Sequence, residues 1–443
     1  MTLCQPSADN ASVSKHAAGI EKKVFAVNFQ LCQKKIFQPA AGISLLALLA
    51  VLPYSTAATN ILEGFLILFW LLGGTVKEDC RRFVSQHFAK ILLIFLGFVF
   101  LSLLWTTVPG SVAWEGIRKF RKLIVLFVAW CFLSRNPLWR ERFLWTGFIS
   151  FGVLALICVG IGFEISGFPE KVPGQGAILT KSHIAQGYIM AILVVIGLEM
   201  SLRKERLGKI ILGACAAILA VGVTFFMTNG RTGYLAIVVA LVAVVVSYPY
   251  KKNLKFIALV AALVVVGISA AVSTNVVNRT MEVKTDIQEF SEGNKHTSSG
   301  ERLSYWTAAL SILKEHPVAG IGIGGFGQFY CDTPDKTKVL KNCIRGWGSG
   351  NPHSDFLNFG AQFGLVGICL WVAFLIVCFY TALRATTVRD RLIGMGFLFA
   401  YLAGGAVNSF MWDVTEGTLA ALCFAWILST QKRQEPAVMA TTG

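Results

Sequence analysis

Charge is scarce in this chain. Only 14% of its 443 residues are Asp, Glu, Lys or Arg, whereas 55% are hydrophobic, with 33 Phe and 11 Trp. Soluble domains carry about 25% charged residues, so this balance excludes an ordinary soluble protein and describes a polytopic membrane one. Acid is scarcer than base, 24 residues against 40, which leaves a formal charge of +16. Such an excess can mean nucleic acid, but here the basic residues punctuate apolar runs and no RNA- or DNA-binding motif occurs. No nucleic-acid partner is expected. No CxxC occurs among the eleven cysteines, which gives little support to a zinc or thioredoxin-like site. Cys131, Cys158, Cys215, Cys369, Cys378 and Cys423 fall in apolar stretches and read as small packing residues. Only Cys331 and Cys343 share a polar segment. A disulfide there requires an oxidising compartment, and the spacing leaves the question open. A cleavable signal peptide is not evident either, because the segment before the first apolar run is too long and lacks a small-residue cleavage pattern.

What is present is a series of apolar runs. A membrane span needs about 20 such residues, and twelve candidates occur, at about 37–53, 57–74, 90–106, 122–134, 143–163, 182–201, 208–228, 231–248, 256–274, 356–380, 391–409 and 416–430. With both termini inside, 24 of the 40 basic residues fall on the cytoplasmic side and only seven in short outer loops, as the positive-inside rule requires. The chain therefore reads as an all-α polytopic membrane protein of about twelve transmembrane helices. Residues 1–36 form a cytoplasmic tail, 37–274 the first nine spans, 275–355 one large helical exoplasmic domain before the tenth helix, 356–430 the last three spans, and 431–443 a second cytoplasmic tail. Segment 275–355 is too long to be a passive connector.

That segment carries the chemistry-bearing residues. Ser298-x-x-Glu301 has the form of a capping box and predicts a helix to about Lys314, stopping before Pro317, with Leu303, Trp306, Leu310 and Leu313 on an apolar face. Gly320-Ile-Gly-Ile-Gly-Gly-Phe-Gly327 invites a nucleotide-binding reading. No strand precedes it in a βαβ unit and no Lys-Ser/Thr follows, so a turn permitting close backbone approach is the better account. Asn351 and Pro352 suit the cap and first position of the next helix. They would set His353 in its first turn, where the helix dipole favours a neutral imidazole suited to act as a general base. A mere helix-cap histidine is the alternative.

Arg231, at the start of the eighth span, and Arg302, in the first turn of the predicted amphipathic helix, also sit at helix N-termini. The dipole opposes an arginine there, which makes sense if a multivalent anion lies between the two, since arginine forks match phosphate oxygens. Taken singly, Arg231 could snorkel to lipid headgroups and Arg302 could pair with Glu301 or another nearby acid. Arg118, Lys119, Arg121 and Lys122 form a basic cluster on the outer side, against the inside preference. Attraction to phosphate or anionic lipid is one reason and simple surface solvation another. Lys181 and His183 open the sixth span and could line the same cavity. Glu63, inside the second span, is either a proton-relay acid or an interior group with a polar partner.

In Thr228-Asn-Gly-Arg-Thr-Gly-Tyr234, Gly300-Glu-Arg-Leu-Ser-Tyr-Trp306, His316-Pro-Val-Ala-Gly-Ile-Gly-Ile-Gly-Gly-Phe326, Asn351-Pro-His-Ser-Asp-Phe-Leu-Asn358 and Gly364-Leu-Val-Gly367 the chain resembles the O-antigen ligase family. The resemblance is detailed over about 210–380 and extends to most of the chain through its layout. It implies a glycosyltransferase of the bacterial inner membrane with a periplasmic active site. The enzyme would move a glycan from undecaprenyl pyrophosphate to a lipid A–core sugar hydroxyl in lipopolysaccharide biosynthesis. By resemblance the reaction is inverting, needs no metal or other cofactor, uses Arg231 and Arg302 to hold the pyrophosphate and His353 to deprotonate the acceptor. The same motifs occur in protein O-oligosaccharyltransferases and some O-antigen polymerases. The first of these usually carry a larger C-terminal region than the dozen or so residues found here. An alternative of another class is a transporter or flippase of polyprenyl-linked substrates, but no internal repeat is clear between the two halves.

Overall fold

The structure, a computed structural model, describes residues 35–203, 206–249, 252–293, 297–332 and 350–431. The first 34 residues of the expected N-terminal tail, Cys343, and the C-terminal tail from 432 lie outside the described residues. Among those described there are helices and two isolated bridges, Val172 with Gly176 and Gly176 with Thr228, but no strand. The protein is an all-α, multi-pass membrane protein. In chain order the helices are α1 (Lys35–Val51), α2 (Thr56–Leu72), α3 (Val76–Val84), α4 (His87–Leu101), α5 (Gly110–Lys119), α6 (Lys122–Arg135), α7 (Pro137–Gly162), α8 (His183–Leu202), α9 (Leu207–Gly222), α10 (Arg231–Ser247), α11 (Lys252–Val272), α12 (Thr274–Ser291), α13 (Ser298–Glu315), α14 (Phe326–Asp332), α15 (Asp355–Leu383), α16 (Val388–Val407) and α17 (Val414–Leu428).

All twelve expected spans fall on helices. Among the described residues, six helical segments are long and apolar enough to cross a membrane by themselves: His87–Leu104, α7, α8, Leu207–Met227, α15 and α16. The second expected span is instead part of a broken unit, because α2 and α3 meet at 103°. Asp79 fixes that corner. Its buried carboxylate accepts from Trp70 Nε1 at 3.0 Å and Thr75 Oγ1 at 2.9 Å and pairs with Arg135 at 2.7 Å. Helices α1, α10 and α17 are apolar but shorter, and α6 has 14 residues.

The middle of the molecule is built from α8, α16 and α17. Every residue of α17 from Thr415 to Leu428 is buried, as expected of a helix that is hydrophobic on all sides. Helix α8 packs on α9 and α10, α10 on α16, and α17 on α6. The α8–α10 crossing is made by glycine. A Cβ on Gly187 would lie 2.5 Å from Gly233 Cα, so only small residues let these backbones meet. The contact lies near the start of both helices and therefore brings His183 and Arg231 to the same end of the bundle. Glu63 has interior polar partners, Arg121 Nε at 2.8 Å and Thr418 Oγ1 at 2.5 Å.

Two helix starts differ from expectation. Helix α13 is capped by Thr297, whose Oγ1 accepts from Gly300 N at 3.0 Å, so Ser298 is already inside the helix and no capping box forms. Its buried side is Ser304, Tyr305, Ala309 and Ile312, while Leu310 faces outward. Helix α15 is capped by Ser354, which accepts from Leu357 N at 3.4 Å. Asn351 Oδ1 is engaged instead by His353 N at 2.9 Å, an Asx turn that needs its side chain locally. His353 consequently precedes the helix, with a left-handed φ of 53°.

Helix α15 breaks at Gly364 (φ 62°, ψ −159°). The glycine-rich loop threads the break. Ile321 N and Gly322 N donate to Ala361 O and Gln362 O at 3.0 Å each, while Leu365 N and Val366 N donate to Pro317 O and Val318 O at 2.8 and 3.2 Å. A Cβ on Gly364 would sit 2.3 Å from Val318 O. The run of glycines thus serves close backbone approach, as its sequence implies.

Candidate active site

Four helix ends converge at one end of the bundle. Arg231 opens α10, His183 opens α8, Arg302 lies in the second turn of α13, one residue later than expected because Thr297 is the cap, and Arg279 lies on α12. With Gln175 and Asn229 they line a cavity of about 350 Å³. Three guanidinium groups therefore share one small space.

Their counter-groups are unequal. Arg279 pairs with Glu282 at 2.6 Å and donates to Gly174 O at 2.5 Å. Arg231 Nη1 donates to Ser299 Oγ at 2.7 Å, and its Nη2 lies 3.7 and 3.8 Å from Glu282 and Asp286. Arg302 is largely buried and donates only to neutral oxygens, Asn408 Oδ1 at 3.2 Å and Val407 O at 3.5 Å. Among the described residues no carboxylate pairs with it, including the neighbouring Glu301. Burial, and then the Arg231 charge, lower its pKa from the ordinary arginine value. Removing charge from water without a counter-ion is costly, and the chemistry of Arg302 suits an anion.

His353 stands beside Arg302. Its ring lies 5.8 Å from that of Tyr305, and Tyr305 follows Arg302 by three positions on α13, on neighbouring sites of one helix surface. Burial depresses the His353 pKa, and the Arg302 charge depresses it further against smaller opposing pulls from Asp413 and Glu301. The imidazole is therefore neutral at pH 7, as expected, but through burial and a neighbouring cation rather than a helix dipole. The chain just after it is anchored: Asp355 accepts from Tyr401 OH at 2.8 Å and Met411 N at 3.0 Å.

The remaining basic residues gather around the α16–α17 loop. Lys181 pairs with Asp413 at 2.7 Å and Glu416 at 3.1 Å. Burial pulls its pKa down, but these two carboxylates more than offset that and leave it raised. Lys122 is fully buried and donates to Met411 O at 2.8 Å. Lys119 lies 3.5 Å from Glu115 and 5.9 Å from the Trp412 ring centre. Arg121 is held by Glu63 and Asn60, and Arg118 is exposed. Arg231, Arg302 and His183 thus share the cavity with His353 next to it, while Lys119, Arg121, Lys122 and Lys181 are engaged elsewhere and Arg118 is exposed.

Sequence reasoning passed over Arg279 and Asn408. Each left a faint sign: Arg279 precedes Glu282 by one turn on a polar helix, and Asn408 is a polar residue ending an apolar span. Asn408 joins the two principal arginine helices, since it accepts from Arg302 and donates to Thr232 at 2.7 Å. Cys331 is disulfide-bonded, but Cys343, its expected partner, is outside the described residues.

Comparison with known proteins agrees with the resemblance in the sequence. Residues 215–372 match the family described as O-antigen ligase, a segment that holds Arg231, Arg302 and His353. The match supports glycosyltransferase activity of the ligase or polymerase type. An uncharacterized protein of Haemophilus influenzae is 26% identical over 313 residues, which cover 67% of this chain and 73% of that protein. A solved chain from a study titled "Structural coordination of polymerization and crosslinking by a peptidoglycan synthase complex" aligns over 79% of this chain and 98% of its own length, at 13% identity and a TM-score of 0.45.

Proposed function

We propose that this protein is an O-antigen ligase, an inverting glycosyltransferase that needs no metal. It would take its glycan from undecaprenyl pyrophosphate and deliver it to a lipid A–core sugar. The observation that carries this reading is the largely buried Arg302, beside Arg231 and without a carboxylate partner among the described residues. In this reading the diphosphate bridges the two guanidinium groups and His353 accepts the proton of the acceptor hydroxyl. The acceptor oxygen forms a bond to the anomeric carbon while the bond from that carbon to the diphosphate oxygen breaks on the opposite face. The electron pair leaves with the diphosphate, whose developing charge the arginines stabilise. The proposal includes twelve spans in the bacterial inner membrane, with 275–355 as the periplasmic domain. The disulfide at Cys331 favours an oxidising compartment for that domain. Arg118 and Lys119 would act only as a basic rim toward lipid headgroups, while Arg121, Lys122 and Lys181 would hold the packing of the surrounding helices.

The test uses purified protein with undecaprenyl-pyrophosphate glycan and lipid A–core in EDTA. Transfer is expected, with Arg302→Gln and His353→Ala each lowering kcat/KM by about 100-fold, the scale of a lost transition-state donor or a lost general base. Full activity of His353→Ala would remove the base, and loss of transfer in EDTA would remove the metal-free step. Transfer to peptide, or to a second polyprenyl-linked glycan, would instead identify a protein O-oligosaccharyltransferase or a polymerase. Flux of the lipid in liposomes without any transfer would identify a transporter.

A further inference from the structure

Two carboxylates of α12 stand against arginines that line the cavity, and the transfer step has no use for them. Glu282 Oε2 accepts from Arg279 Nη1 at 2.6 Å and lies 3.7 Å from Arg231 Nη2. Asp286 Oδ2 accepts from Ser299 N at 3.1 Å, in the first turn of α13, and lies 3.8 Å from the same Arg231 nitrogen. Asp286 thus sits where a helix N-terminus and a guanidinium would together hold a phosphate oxygen.

The hold on Arg231 is loose. At 3.7 and 3.8 Å neither carboxylate hydrogen-bonds to it. Its close contact is the neutral Ser299 Oγ at 2.7 Å. These groups are open to exchange with a ligand, since the Arg231, Glu282 and Asp286 side chains keep 30%, 45% and 14% of their surface accessible. No residue of α12 is fully buried, so the carboxylates ride on a lightly packed element.

Negative charge beside the arginines weakens their attraction for any anion, and the loss is unequal. The diphosphate of a glycan-bearing donor is esterified at both ends and carries two negative charges. Once the glycan has left, one end is a monoester whose further ionisation falls near pH 6, so the spent lipid carries about one more charge at pH 7. Coulomb energy scales with the charge of the ligand. A purely cationic site therefore holds the spent lipid more tightly than the donor. Two carboxylates subtract from each ligand in proportion to its charge and take most from the product.

We infer that Glu282 and Asp286 are charge-selective residues of the diphosphate site, which shift its preference from the spent lipid toward the donor and so promote product release. The inference rests on the reading of the arginine cavity as the lipid-diphosphate site. As the diphosphate enters, its oxygens take Arg231 from the two carboxylates; as the product leaves, the carboxylates recover it.

Two isosteric amides test it. Glu282→Gln and Asp286→Asn keep an oxygen for Arg279 and for Ser299 N and remove only the charge. The probes are undecaprenyl pyrophosphate and its terminal methyl ester, which blocks the further ionisation. Each is titrated against the detergent-solubilised full chain at about pH 8, above that ionisation. Each variant is expected to bind undecaprenyl pyrophosphate about tenfold tighter and the methyl ester only about fivefold tighter, as the charge difference requires. In transfer assays with excess donor, kcat is expected to fall about threefold as product inhibition rises, while the single-turnover rate is unchanged. A merely structural loss would weaken both probes and slow the single turnover. Unchanged or weaker binding of undecaprenyl pyrophosphate in both variants, or equal gains for the two probes, overturns the inference. If one variant loses its fold, as a lowered unfolding midpoint would show, the other decides. Tighter binding in the variants, with no transfer by the wild type, would sink the ligase reading and leave the charge selection. Transfer that depends on Arg302, with both affinities unaltered in the amide variants, would do the reverse. A wild type that does not bind undecaprenyl pyrophosphate ends both.

Discussion

A guanidinium that is largely buried next to a second one lowers the stability of the empty protein. Arg302 is in that position, with two neutral oxygens as its acceptors among the described residues. Replacing a buried charge by an apolar side chain of similar volume is often neutral or stabilising. Arg302→Met should therefore leave the ligand-free unfolding midpoint unchanged or raise it, while undecaprenyl pyrophosphate binding falls at least tenfold; thermal unfolding and lipid binding in detergent read the two effects. His353 gives a pH prediction. Its pKa lies below the ordinary 6.5 because of burial and Arg302. A general base must be unprotonated, so kcat/KM should reach its plateau at lower pH than an ordinary imidazole would allow and fall as pH drops through the lowered pKa. In kcat, which reports the substrate-bound state, the bound diphosphate offsets the Arg302 charge and moves the fall to higher pH. An unshifted profile in His353→Gln would show that another group titrates. The residue types at these positions were readable from sequence, as candidates for an anion site and a base. That Arg302 lacks a carboxylate among the described residues and Arg231 has two nearby was not, because the loop that meets Arg302 lies about a hundred residues further along the chain and the α12 carboxylates lie about fifty residues beyond Arg231.

At the scale of elements, glycine decides the geometry. The Gly364 break admits the Pro317–Gly322 backbone into α15 and so sets where α13 ends and where α14 begins. A side chain there meets Val318 O and forces a conformation open essentially to glycine alone. Gly364→Ala should cost at least ~1–3 kcal/mol, read as a lower unfolding midpoint in detergent. Retention of the wild-type midpoint would mean that the loop can leave the break. The glycine run announced close backbone approach, but its receptor could not be read, because a kink inside an apolar run leaves the hydrophobic pattern unbroken. The same limit explains the cap positions: Asn351 and Ser298 are good cap residues, but so are Ser354 and Thr297, and only the turn at His353 and the register of α13 choose between them.

For the whole molecule, topology is the testable quantity. With both termini inside, exposed Cys80 on α3 faces the cytoplasm and exposed Glu170 between α7 and α8 faces outward. With Cys4, Cys32, Cys215 and Cys369 replaced by serine, a membrane-impermeant maleimide should label Glu170→Cys in intact spheroplasts and reach Cys80 only after permeabilisation. The opposite pattern would turn the arginine cavity toward the cytoplasm and end the periplasmic reading. Composition, apolar run length and the distribution of Lys and Arg by themselves determined that this is a helical multi-pass membrane protein, and which residues were worth watching, because hydrophobic length and helix periodicity are local properties of the chain. The meeting of Arg231, Arg279, Arg302 and His183 around one cavity was decided only by tertiary structure. It depends on Gly187 and Gly233 letting α8 and α10 cross, and on Asn408 tying α10 to α13, and contacts between residues so far apart exist only once the helices have packed.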